Sequence, residues 1–141
     1  MTENTDEDRA TARARLRSSS RMFYLLAVAK LMLLAWLVRF LLDPSAAGAG
    51  PFTGSWALVA VVWYGASTLL CLAIGRALGK RQIRARGIAY IYGALQIVGV
   101  AGVFWMGPFA IISAILGLVA VTTLHIASEL GAFEDVAAGT G

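Results

Sequence analysis

The sequence predicts an all-α integral membrane protein, a four-helix bundle of two helical hairpins with both termini in the cytoplasm. Three observations predict it. Hydrophobic residues make up 59% of the 141 residues and charged residues only 14%, whereas an average soluble domain is about a quarter charged. A water-soluble fold of this composition would lack the polar surface to cover its core, and the mean hydropathy of +0.74 agrees. Apolar runs recur along the chain, each close to the about 20 residues that cross a hydrocarbon core. Finally, the basic residues gather in two blocks that flank those runs.

The first predicted span is 22–42, closed by Asp43-Pro44, where a proline cannot continue the helix. It follows an Arg-rich segment, 1–21, read as a cytoplasmic tail. The run is too long for the core of a secretory signal, about 7–15 residues, and Lys30 interrupts it. After the Gly/Ala/Pro-rich stretch "DPSAAGAGPFTGS" comes a second span, 54–76. The third is 86–106 and the fourth 109–130, with "MGPF" between them as a tight hairpin around Gly107-Pro108. Residues 131–141 read as a short disordered cytoplasmic tail.

Orientation follows from the basic residues. Arg9, Arg13, Arg15, Arg17 and Arg21 precede the first span, and Arg76, Lys80, Arg81, Arg84 and Arg86 lie at the connection between the second and third. The other two loops hold no Lys or Arg. The positive-inside rule then puts both termini and the middle connection in the cytoplasm. Trp36, Trp56, Trp63 and Trp105 fall in the outer halves of their spans, with Trp56 and Trp105 at the level of an aromatic belt. Ten arginines against two lysines, with abundant Ala and Gly, suggest a GC-rich bacterial genome and hence the plasma (inner) membrane. The net charge of +4 does not point to nucleic acid, because it is distributed as membrane-flanking blocks.

Two charges sit inside the first span. Nine residues turn a helix through about 900°, so Lys30 and Arg39 leave it on nearly opposite faces. Arg39 is within a turn of the outer interface, can snorkel, and has Asp43 four residues on as a helical partner. Lys30 lies about 14 Å into a hydrocarbon core of about 30 Å. A charge there costs several kcal/mol unless it is neutralised, hydrated or paired. At similar depth the other spans carry Ser67, Thr68, Gln96, Thr122 and Thr123, a candidate midplane polar layer.

Three fates are open to Lys30. It could line, with Gln96, a site for an anion, a lipid headgroup or a proton path. It could snorkel toward the cytoplasm and bond to Tyr24, Tyr92, His125 or Glu129. Or its partner could be a carboxylate on another polypeptide.

Ser67, Cys71, Gly75 and Gly79 recur every four residues, a ridge of small side chains for close helix packing, with similar pairs at Ala89/Gly93 and Ser113/Gly117. A lone Cys71 and a lone His125 offer no metal-ligand set. Acidic residues are confined to tails, helix ends and loops, and no nucleophile–base set or phosphate loop is legible. The expectation is a protein without cofactor or enzymatic chemistry. Its function is read as an accessory or assembly subunit of a membrane complex. The alternative is a small homo-oligomeric transporter or channel built around Lys30 and Gln96, with a membrane-permeabilising protein more remote.

Overall fold

The computed structural model describes residues 2–43, 55–99 and 108–134, and all their side chains but those of residues 2–5, 40, 55 and 56. These residues form four α-helices, α1 (Thr2–Leu42), α2 (Ser55–Gly79), α3 (Ile83–Val98) and α4 (Pro108–Glu129). Three of them, α1, α2 and α4, are long and apolar enough to cross a membrane. Helix α3 has 16 residues, and the remainder of the third predicted span, 100–106, lies outside the described residues. So do Trp105, the side chain of Trp56 and the loop 44–54.

Helix α1 begins well before the predicted span at residue 22 and takes in most of the Arg-rich segment. It is one helix of 41 residues, about 60 Å long at 1.5 Å per residue. The reason is local. No Gly or Pro stands between Thr2 and Leu42, and Ala and Arg are strong helix formers. The weak stretch Ser18-Ser19-Ser20 is held from outside: Ser19 Oγ donates to the Ala120 carbonyl of α4 at 2.9 Å, and Ser20 Oγ to the Gly75 carbonyl of α2 at 2.7 Å. The helix stops at Leu42 because Asp43, preceding Pro44, is disfavoured in the helical region.

Helix α1 packs along both α2 and α4, and α3 along α4, while α2 and α3 touch little. Pairing runs antiparallel in the first hairpin, since Ser20 meets Gly75 while Lys30, further along, meets Tyr64. The second hairpin behaves alike: Gly93 meets Gly117 and the earlier Tyr90 meets the later His125. The small-residue ridge on α2 is used inside the chain. Cys71 is fully buried, and a Cβ on Gly75 would lie 3.3 Å from both the Ser20 carbonyl oxygen and the Tyr24 ring.

Helices α2 and α4 end in similar turns. At the end of α2 the Gln82 amide bonds back to the Ala77 carbonyl at 3.0 Å, with Arg81 at φ 55°, a left-handed position more often given to glycine. At the end of α4 the Ala132 amide bonds to the Ala127 carbonyl at 3.0 Å, with Gly131 at φ 77°. That turn folds Ala132 and Phe133 inward, where they join Ala12 and Leu16 in one buried cluster. The segment expected to be a loose tail from residue 131 is thus packed as far as Phe133. Residues 135–141 lie outside the described residues.

The core is in two parts. The larger cluster runs from Ala12, Leu16 and Phe133 through Leu78, Ala85 and Ala127 to Ala27, Cys71 and Tyr92. The smaller contains Leu33, Leu37, Ala60 and Tyr64. Lys30 stands where the first gives way to the second. Much of the outer surface is large and apolar, including Leu31, Met32, Leu58, Val62, Trp63, Leu69, Ile91 and Ile115. This large apolar outer surface is compatible with a small membrane protein.

A candidate binding site around Lys30

The site begins with the face of α1 that carries Lys30. Phe23, Leu26, Ala27, Lys30, Leu33 and Leu37 are all buried, and their spacing of three and four residues places them on one helical stripe. Lys30 is therefore an inward-facing residue, 6% exposed, while Arg39, on the other side of the helix, is exposed. On α2, Tyr64, Ser67 and Cys71 occupy the facing stripe by the same three-to-four spacing.

The Lys30 ammonium lies 5.6 Å from the centre of the Tyr64 ring and 5.8 Å from that of Tyr92. Both distances are within cation–π range. The Tyr92 hydroxyl is hydrogen-bonded to the Ser67 hydroxyl and lies 3.4 Å from the Ser67 carbonyl oxygen, which ties α3 to α2 at this level. Among the described residues Lys30 has no hydrogen bond and no ion pair; the ion pairs there are Arg9–Asp6 and His125–Glu129.

Lys30, Ser67, Tyr92 and Gln96 line a cavity of about 380 Å³, together with Tyr64 and Ser113. All four helices contribute to it. The rest of the lining is apolar and includes Leu33, Leu70, Leu95 and the Trp63 ring. Among the described residues no carboxylate or imidazole lines it. The groups facing the space are thus one ammonium, hydroxyls, an amide and a hydrocarbon wall, a combination suited to holding an anion.

Of the predicted midplane residues, Lys30, Ser67 and Gln96 come together. Thr68 and Thr122 do not join them. Thr68 Oγ1 donates to the Tyr64 carbonyl at 2.7 Å, and Thr122, exposed, to the Leu118 carbonyl at 2.8 Å. Each satisfies itself on its own helix, as Thr123 does with the Val119 carbonyl at 2.7 Å.

The predicted cytoplasmic-side partners separate as well. His125 Nε2 and Glu129 Oε1 are 3.4 Å apart on an exposed face, and His125 Nδ1 faces the Tyr90 hydroxyl at 3.5 Å. Neither reaches Lys30. Tyr92, expected near them, belongs instead to the cavity.

The sequence reading missed Tyr64, Trp63 and, as a lining residue, Ser113. Tyr64 was findable, because it precedes Ser67 by three residues and so shares its face. For helix packing, Ser67, Cys71 and Gly75 are buried, whereas Gly79 is at the exposed end of the ridge, with Ser20 Oγ 3.6 Å from where its Cβ would be. No group of three or more His, Cys, Asp or Glu that could hold a metal ion occurs among the described residues.

Comparison of this chain with protein families, with curated proteins and with solved structures found no match.

Proposed function

We propose that this chain is a small, non-catalytic, multi-span membrane protein that binds an anionic ligand at Lys30, as the binding site of a transporter or channel. The observation that carries the reading is the solitary ammonium. Lys30 is buried at the wall of a cavity to which four helices contribute and has no carboxylate partner among the described residues. Cation–π contacts are worth about 0.5–2 kcal/mol, less than the cost of a charged lysine at mid-depth, and a bound anion would supply the balance.

The proposed setting is a bacterial inner membrane, with both termini and the α2–α3 connection in the cytoplasm. Burial supports this arrangement. Ala12 and Leu16, beside the first arginine block, share a cluster with Leu78 and Ala85, beside the second. Both basic blocks therefore lie at one end of the molecule, as the positive-inside rule requires of one side.

A second reading is an accessory or assembly subunit, in which the anion is a carboxylate on a partner's transmembrane helix. It is favoured by the exposure of Trp63, 69%, at the cavity wall. The small-residue ridge supports it less, because that ridge is taken up by contacts with α1.

Affinity purification in mild detergent with intact-mass determination separates the two. A stoichiometric foreign polypeptide that is lost in Lys30→Leu supports the accessory role. A monomer or homo-oligomer whose reconstituted anion flux is abolished by Lys30→Leu supports transport. If Lys30→Leu changes neither assembly nor flux, the proposal fails.

A further inference from the structure

Resting on the reading of Lys30 as an anion site, we infer that the ligand is a monocarboxylate with an apolar body, a medium-chain fatty acid being the simplest case. Charge gives the first limit. Among the described residues Lys30 is the sole cationic side chain in the cavity lining, so one negative charge is balanced and a second would remain uncompensated in a low-dielectric space. Phosphate dianions and polyanions are disfavoured on that ground. Size gives the second. About 380 Å³ is far more than a halide fills and falls in the lower part of the roughly 300–1,000 Å³ range of small-molecule sites.

The walls specify the remainder. Beyond the ammonium, the Gln96 amide and the Ser113 hydroxyl, the ligand meets Leu33, Leu70 and Leu95 and three aromatic side chains. Such a surface contacts hydrocarbon. Trp63, Leu70 and Leu95 are also exposed on the outer surface, the side a bilayer would cover. An amphiphile already dissolved in the membrane can enter there, tail along these residues and carboxylate toward Lys30.

The test uses the full chain in lipid nanodiscs and equilibrium dialysis of butanoate, hexanoate, octanoate and decanoate. Protein-free discs are subtracted, and binding is referred to the free aqueous concentration. Saturable binding of one carboxylate per chain is expected, about fourfold tighter for each added methylene until the cavity is full. Lys30→Gln should weaken it at least about tenfold, the contribution of a hydrogen bond to a charged group. Lys30→Arg should retain most of it, and Gln96→Leu should show a smaller loss, so the result does not depend on one variant folding. The corresponding methyl esters should not compete.

Affinity that is flat along the series, or Lys30-dependent binding of chloride or inorganic phosphate in place of carboxylates, would overturn the inference while leaving Lys30 as an anion site. No Lys30-dependent binding of any probe would overturn both. A co-purifying polypeptide lost in Lys30→Gln, with no carboxylate bound, would overturn the inference in favour of a partner helix's acid.

Discussion

Gly117 on α4 and Gly93 on α3 face each other so closely that a Cβ on Gly117 would lie 3.0 Å from the Gly93 carbonyl oxygen and 2.8 Å from Gln96 Cβ. Neither neighbour can swing away, since one is backbone and the other the root of a side chain. Gly117→Ala must push α3 off α4, a form of overpacking that costs about 1–3 kcal/mol. Because Gln96 is the residue struck, carboxylate binding should weaken as well. Gly79→Ala is the matched control, for its Cβ would find 3.6 Å to Ser20 Oγ, an ordinary contact. Thermal unfolding in detergent should show a lower Tm for Gly117→Ala and an unchanged one for Gly79→Ala.

Ser19 and Ser20 pin the same turn of α1 to two different helices. Ser19→Ala and Ser20→Ala should each destabilise by about 1 kcal/mol, the net worth of one such hydrogen bond. The bonds go to carbonyls of different helices, so the double variant should lose more than either single one, and the departure from the sum measures how far the neighbouring clamps are coupled. Denaturant or thermal melts of the three variants check this, and a double variant no worse than either single one would count against separate clamps.

Phe133 is buried in the cluster that contains Ala12 and Leu16. Phe133→Ala should cost about 3 kcal/mol or more if the gap stays open. The loss should be felt at the start of α1, where Arg13, Arg15 and Arg17 are exposed. Limited trypsin digestion therefore gives the readout: faster cleavage after these arginines in Phe133→Ala, with sites near α2 and α3 unchanged.

Lys30→Met should separate stability from function. The native lysine places an amine in a buried position without an ionic partner among the described residues. Replacing it with an apolar side chain of similar length should raise the stability of the ligand-free protein by about 1 kcal/mol or more and abolish anion binding. A fall in Tm would mean that the lysine is a structural element held by Tyr64 and Tyr92.

His125 and Glu129 form an exposed pair. His125→Ala and Glu129→Gln should leave stability within about 0.5 kcal/mol and ligand binding unaltered, as melts and dialysis of the two variants would show.

Depth along a helix was legible in the sequence; direction around it was legible only in part. Counting residues from the arginine blocks put Lys30, Ser67 and Gln96 at one level, and the structure gathers them round one cavity. The same count put Thr122 there, although it lies on the outer face of α4. Tyr90 and Tyr92 show the limit most clearly. Two residues apart, they turn about 200° from each other, so one meets His125 and the other Ser67. Depth alone could not say which. The four-residue spacing from Ser67 to Gly79 did indicate a packing ridge, but its partner, α1 at Ser20 and Tyr24, depends on tertiary contacts that no local pattern carries. The N-terminal segment posed a similar problem. Its helix-forming composition was visible, yet what anchors it is Phe133, more than a hundred residues away.

One feature of α1 reaches beyond packing. From Ala12, in the cluster that holds Phe133, to Lys30 at the cavity, the chain is a single uninterrupted helix about 27 Å in length. It contains neither a glycine nor a proline at which to flex. A stiff shaft of this kind couples its two ends. Ser19 and Ser20 clamp it midway to α4 and α2, so the place of the Lys30 amine at the cavity wall is tied to how the arginine-bearing end is packed.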